Sequence, residues 1–546
     1  MFYRLHTLFT TIDSIKLLLF SLGFKDFPML LPLLAFLFFA AAPLDADFIL
    51  KGGLVFDGTG KMAVLGDIAI KGERIAAIGS FPIPPNTKSF DVSGLIIAPG
   101  FIDMHTHSDF PLLKVPTNAN LNYLFQGVTT TVTGNCGSGP VDTEAYYKAL
   151  LKVKVGSNVA HQIPHNDVRR AVMGNVNRAP TEIELKKMVD LATKSMKDGA
   201  WGLSTGLIYN PGTYAKTPEL ITLAKVASSH GGFYASHIRD EGSEVLPAIN
   251  EALTIVKEAN IPVHISHIKV SGRSVWGKSG DVLALLMQAR KNGIKVTADQ
   301  YPYIASSTSL TATVVPSRFR EGERAELVKR FEDPELGVLL RKAIADSLES
   351  MNGGADLRIA YYAPKPRYAG KNIADLSKMM GKSPVDIVVE IEKNGGAQIV
   401  HFGMSEEDMR LFMTQDFVAT ASDGGAKVPD TSSMPHPRNY GTFPRKIGFY
   451  AIQEKLIPLE SAIRSASGLP ADIMGLKDRG YLKVGYFADI VVFNPDTFRD
   501  KATYDKPHQY ATGISHVLVN GNFAIMDGKP TGKLAGKPLK KTDQPR

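Results

Sequence analysis

From about residue 98 to residue 422 the chain repeats one texture, a short apolar run followed by a longer segment of helical period. The stretches "TEIELKKMVDLATKSMKDG", "TPELITLAKVASSHG" and "GDVLALLMQARKNG" are such helical segments, each separating two short runs. Parallel strands need a crossover of this kind, whereas antiparallel neighbours need only a tight turn. The alternation therefore predicts βα units, and at this length a closed barrel rather than an open sheet. Strands are expected at 98–104, 128–133, 158–163, 200–204, 233–237, 262–267, 294–299 and 417–422. A long helical stretch before the last of them, about 315–398, reads as an insertion in one βα loop and a candidate lid.

The flanks differ from the middle. Residues 44–97 and 479–530 carry β-branched runs broken by Gly and Asp-Gly, a hairpin-rich pattern. The expected fold class is α/β, a TIM-like (β/α)8 barrel over 98–478, with a small β-sandwich domain formed by both termini and an inserted helical lid. The basic tail 531–546 reads as a solvated, frayed end. Residues 1–43 hold "MLLPLLAFLFFAAAP", the length of a signal-peptide core, which ends in the small residues Ala40 to Ala42. Export to the periplasm or medium is expected, with removal of this segment. A retained N-terminal anchor or a buried helix are the alternatives, and a start at Met29 would leave almost no basic region before the apolar core.

The composition is that of a folded protein, 44% hydrophobic and 21% charged. A net charge of +8 comes partly from the tail, and no Lys/Arg stripe interleaved with aromatics tracks a phosphate backbone. Nucleic acid is therefore not an expected partner, and attraction of small anionic substrates is. Cys136 is the only cysteine, so no intrachain disulfide exists.

The most specific local feature is "LIIAPGFIDMHTHSD", an apolar strand that ends in His105 and His107. Alternate strand residues share a face, so both imidazoles can project toward one point at the carboxyl end, where barrel sites lie. Asp103 and Asp109 flank the pair. Later runs also stop at ionisable residues: "GGFYASHIRDEG" at His237, "IPVHISHIKVSG" at His267 and "DFVATASDGG" at Asp423. His264 falls on the opposite side of its strand and reads as structural. Cys136 follows the β-branched run of "QGVTTTVTGNCGSG", which puts its thiol at the same rim. Thiolate with imidazole suits Zn²⁺, whereas an all-oxygen set would suit Mg²⁺ or Ca²⁺.

Seven stretches in order, "PGFIDMHTHSD", "GVTTTVTGNCG", "ASHIRDEG", "SHIKVSG", "DQYPYIASST", "SDGG" and "PHPRNYGTFPR", resemble the amidohydrolase superfamily and within it the N-acyl-D-amino-acid deacylase (D-aminoacylase) family. The resemblance implies a zinc-dependent hydrolase of N-acyl-D-amino acids, with Zn²⁺ held tightly by Cys136, His237 and His267. It implies a second, weaker metal position at His105 and His107, with Asp423 between the two as catalytic base and then acid. It also implies that Lys269, Tyr301, Ser307 and Arg438 bind the carboxylate of a small N-acyl amino acid. Cys136 stands where many relatives in the wider superfamily carry a bridging carboxylated lysine, which favours one essential zinc. The segment "GGAKVPDTSSMPHP" is longer than the usual pattern, and neither it nor the insertion reveals a side-chain selector. A cyclic-amide hydrolase of the dihydropyrimidinase or dihydroorotase type is the rival enzyme, and a non-catalytic barrel the rival of another class. The missing bridging lysine argues against the former, and the set of ligands with a base against the latter.

Overall fold

The computed structural model describes residues 44–83 and 85–544, so the expected export signal or anchor, and the Met29 start, lie outside the described residues. Residues 46–81 and 87–546 form one compact unit. The described residues 44, 45, 82, 83, 85 and 86 fall outside it and form neither helix nor strand.

Eight parallel strands close into a barrel: β1 (Phe101–Asp103), β2 (Val128–Thr133), β3 (Asn158–His161, resuming at Ile163–Pro164), β4 (Gly202–Gly206), β5 (Phe233–His237), β6 (Val263–Ile265), β7 (Val296–Gln300) and β8 (Val418–Thr420). β2 and β5 occupy the expected residues, and the other six lie within a few residues of expectation. Every residue of β2, β3, β4 and β5 is buried, as happens when a parallel sheet is covered on both faces. The ring closes between β8 and β1 beyond the strands themselves: Asp423 N–H donates to His105 O at 2.8 Å and His107 N–H to Gly424 O at 2.6 Å. The residues that seal the barrel are thus also those at its mouth.

The helices Glu182–Lys197, Thr217–Ser229, Val245–Ala259 and Ser279–Lys291 run outside β4 to β7. The first begins in a capping box, with Thr181 and Glu184 exchanging side-chain and backbone hydrogen bonds. It buries Met188, Ala192, Ser195 and Met196, the spacing of one helical face.

Both termini contribute to one nine-stranded sheet. Its seam is the antiparallel pairing of Ile96–Pro99 with Ile490–Phe493. Period-2 alternation decides what each side covers: Ile490 and Val492 join Leu50, Ile68 and Leu518, whereas Val491 and Phe493 join Ile96, Phe101 and Phe443 on the barrel side. The run expected at 98–104 is therefore divided between two sheets. Gly100 stands at the division, where a Cβ would come within 2.3 Å of Thr129.

Two expectations need correction. The basic tail is not frayed: Gly536 N–H donates to Val155 O, Leu539 N–H to Val159 O, and Leu539 O accepts from Trp201 Nε1 at 2.6 Å. The start of β3 has backbone groups that β4, paired with it only from Ile163, does not reach, and the tail satisfies them while Leu539 is buried. The insertion is not simply helical either. It runs from about 306 to 401, wider than the expected 315–398, and contains a three-stranded antiparallel sheet of Ser306–Ser309, Gln398–His401 and Leu357–Tyr361, backed by helices around a core that includes Leu340, Ile344, Ile359, Ile387 and Ile399. Its first strand reads SSTS, polar and half-buried throughout, so no hydrophobic alternation announces it. Among the described residues no helix is long and apolar enough to cross a membrane.

Candidate active site

Each predicted metal-site residue stands where a barrel strand ends. His105 and His107 follow β1, Cys136 follows β2, His237 is the last residue of β5, His267 lies just beyond β6, and Asp423 just beyond β8. Cys136, His267 and Asp423 take positive φ angles of 51°, 37° and 51°. That left-handed backbone disfavours any residue with a Cβ and turns the three side chains out of their strand directions into the mouth.

Cys136 Sγ lies 3.2 Å from His105 Nε2, 3.5 Å from His237 Nδ1 and 3.6 Å from His267 Nε2. Metal bonds of about 2.0–2.3 Å put tetrahedral donors about 3.3–3.8 Å apart, so the Cys136, His237 and His267 spacings to sulfur fit one ion. The two imidazoles approach each other more closely, at 2.8 Å, as rings sharing a proton do. A second set, His105, His267 and Asp423, shares His267 with the first. Burial pushes the Cys136 thiol well above its ordinary pKa, with the Asp423 carboxylate adding to the effect. A thiolate here therefore needs a cation as counter-charge, and the sulfur with two imidazoles makes the site fit a borderline-soft divalent metal.

Asp423 bridges the site to the cleft. Its Oδ1 is 3.0 Å from His107 Nε2 and 3.6 Å from His105 Nε2, and its Oδ2 is 2.9 Å from Arg438 Nη1. Burial alone would raise its pKa, but Arg438 and the nearby imidazoles outweigh it and hold the carboxyl well below the usual range. The same carboxylate raises His107, against burial. Burial pulls His105 and His237, more enclosed, below their ordinary pKa.

Two residues absent from the expected set orient the ligands. Asp299, near the end of β7, accepts from His267 N–H through Oδ1 at 2.7 Å, and its Oδ2 lies 2.8 Å from His264 Nε2 and 3.3 Å from His105 Nδ1. His264 is in none of the candidate ligand sets, but it does not lie behind the barrel as expected: Val263 and Ile265 pack toward the outer helices, and His264 between them faces inward and braces Asp299. Asp299 carried the same signal as His237, an ionisable residue where an apolar run stops. Glu241 carried none, since it sits in the turn after β5. Its Oε1 lies 2.5 Å from Lys269 Nζ and 3.0 Å from His267 Nδ1. Burial would raise Glu241, but Lys269 and the two imidazoles hold it well below the usual carboxylate range. Glu241 and Lys269 both meet His267 Nδ1, at 3.0 and 2.7 Å, and together orient the ring whose Nε2 faces Cys136. Glu241→Gln is therefore expected to weaken zinc binding about 10- to 100-fold, read by competition against a chelator; unchanged affinity would remove Glu241 from this role.

The predicted carboxylate binders divide into two pairs. Arg438 and Ser307 line a cleft of about 620 Å³ with His107, Cys136, Tyr209 and Asp423, and strands of the insertion supply one wall. Lys269 and Tyr301 are not part of the cleft wall. Lys269 is buried against Glu241 and His267, and Tyr301 lies beneath Arg438, whose guanidinium is 4.7 Å from the ring centre. Tyr209, not expected from sequence, packs edge-on against His237 and pairs with Thr308 at 2.9 Å.

A closed parallel barrel whose mouth gathers thiol, imidazole and carboxylate donors beneath a covered cleft is that of a metal-dependent hydrolase. Residues 88–525 match the Amidohydrolase family. D-aminoacylase from Alcaligenes xylosoxydans xylosoxydans is 36% identical over 519 residues, 91% of this chain and 98% of that protein. A solved D-aminoacylase, described for its binuclear metal centre with one-metal activation and second-metal attenuation, matches with a TM-score of 0.78 at 34% identity, over 91% of this chain and 100% of that one. N-acyl-D-glutamate deacylase from Bordetella bronchiseptica, complexed with zinc and a phosphonate mimic of the tetrahedral intermediate, matches with a TM-score of 0.79 at 32% identity over the same shares. The chain belongs to the amidohydrolase superfamily, in its D-aminoacylase (N-acyl-D-amino-acid deacylase) family.

Proposed function

We propose that the chain hydrolyses the amide bond of N-acyl-D-amino acids, giving a carboxylate and a free D-amino acid. The observation that carries this is the meeting of Cys136, His237, His267 and Asp423 at one end of a cleft that Arg438 also lines. The cleft's volume, about 620 Å³, suits a small acylated amino acid. Two imidazoles and a thiolate favour zinc as the ion, held tightly by Cys136, His237 and His267. His105 and His107 form the weaker second position, with Asp423 between.

When bound, zinc brings water to a pKa of about 7 and polarises a carbonyl, so a nucleophile is available near neutral pH. Asp423, kept ionised by Arg438, is in the form that accepts the proton of the attacking water, and it returns that proton to the departing nitrogen. Arg438 Nε has no hydrogen-bond partner among the described residues and is free to donate to the substrate carboxylate. Ser307 stands in the same cleft, its O accepting from Arg438 Nη2 at 3.2 Å. Tyr301 supports the guanidinium from below, and Lys269, engaged by Glu241 and His267, holds those groups in register.

The test is metal analysis of the purified protein alongside a panel of N-acetyl-D- and N-acetyl-L-amino acids. About one equivalent of zinc and hydrolysis confined to D substrates are expected. Absence of amide hydrolysis on every D substrate, despite bound zinc, would overturn the reading.

A further inference from the structure

The cleft contains one cation that the deacylase chemistry leaves without a task. Lys427 lies in the segment between Asp423 and His436 that sequence marks as longer than the usual pattern, and it lines the cleft with His107, Asp423 and Arg438. Its backbone is pinned. Lys427 N–H donates to Asn122 Oδ1 at 3.1 Å, and Asn122 Nδ2 donates in turn to Gly425 O at 3.1 Å and Asn439 O at 2.7 Å. The stem of Lys427 therefore leaves from a fixed point of the wall.

The ammonium is half-buried, and among the described residues it has neither a hydrogen-bond acceptor nor an ion-pair partner. The one carboxylate that acts on its charge, Asp430, is engaged elsewhere: Oδ1 accepts from Ser432 N–H at 2.8 Å and Ser433 N–H at 2.9 Å, and Oδ2 lies 3.7 Å from His508 Nε2. Burial accordingly pulls the lysine below its ordinary pKa, and Asp430 offsets this only at a distance. The other cations of the site are matched, Arg438 with Asp423 and Lys269 with Glu241. An ammonium taken from water without a counter-charge is costly, and an anion brought by the ligand relieves it. The α-carboxylate is already assigned to Arg438.

We propose that Lys427 receives a second carboxylate, so that the preferred substrates are dianionic N-acyl-D-amino acids, with the extra charge on the amino-acid side chain or on the far end of the acyl group. This rests on the deacylase reading and adds the charge class of its substrate. The experiment compares kcat/KM of the zinc-loaded full chain for N-acetyl-D-leucine, N-acetyl-D-glutamate and N-succinyl-D-leucine, in the wild type, Lys427→Met and Lys427→Arg. The wild type should prefer one of the two dianions, and which one identifies where the second carboxylate sits. Lys427→Met should reduce that preference about 30-fold or more, chiefly through KM, whereas Lys427→Arg should keep most of it. An unaltered preference in Lys427→Met, or a wild type that favours N-acetyl-D-leucine over both dianions, would overturn the inference while leaving the deacylase reading standing. If the wild type hydrolyses none of the three, the deacylase reading falls and this inference with it.

Discussion

Asp423→Asn should lower kcat for amide hydrolysis by about 10²- to 10⁴-fold, the range over which a positioned proton-transfer group contributes. Asparagine keeps the shape of the side chain but can neither accept the proton of the attacking water nor return it to nitrogen. Zinc content is the companion measurement, because Cys136, His237 and His267 are untouched by the substitution and should retain their ion. The buried Arg438 loses its counter-charge, at a cost in stability on the order of 3 kcal/mol. The rate should therefore be taken well below the unfolding transition. A variant that retains zinc and turns over within tenfold of the wild type would show that Asp423 is not the base.

The second large effect falls on the metal. Cys136→Ala removes the only thiol and one of the three donors of the tight set, leaving two imidazoles already 2.8 Å apart. Zinc should fall from about one equivalent to a small fraction after dialysis against a mild chelator, and activity should fall with it. A full equivalent retained by the variant would move the tight site to His105, His267 and Asp423. Alanine at the buried Cys136 removes a single sulfur atom, so the variant should remain folded, and a circular-dichroism melt separates metal loss from collapse.

How far the sequence reveals this molecule depends on what kind of signal each part emits. β2 and β5 are legible because "VTTTVT" and "FYASH" are buried on both faces and bounded by turn residues, so their limits are set locally. The strand at 98–104 is legible as apolar but not as two pieces, since its division at Gly100 is a tertiary decision between a barrel and a flanking sheet. The strands of the insertion and the docking of the tail are hidden for a related reason. "SSTS" pairs through its backbone, and residues 536–539 are held by carbonyl and amide groups of β3 and its approach, neither of which leaves a side-chain pattern.

The metal-binding candidates were readable because each interrupts an apolar run with a residue whose charge or lone pair needs a reason. Of the residues that steady them, Asp299 emits that same signal and Glu241 emits none. Asp299 and Glu241 act through other side chains, and their partners come from distant strands or turns. Lys269 was readable as a cation but not as a buried brace, because its carboxylate partner lies 28 positions away in the chain.

The left-handed backbone at Cys136, His267 and Asp423 bears on how such a protein changes under selection. A residue with a Cβ forgoes about 1–2 kcal/mol at each such position, and glycine would recover much of it. At Asp423 that strain is smaller than what the residue gives as the counter-charge of Arg438, and at Cys136 and His267 a bound metal would offset it. The strain at these turns is thus carried by the same pairings that make the mouth reactive, and a variant that relieves it gives up stability as well as activity.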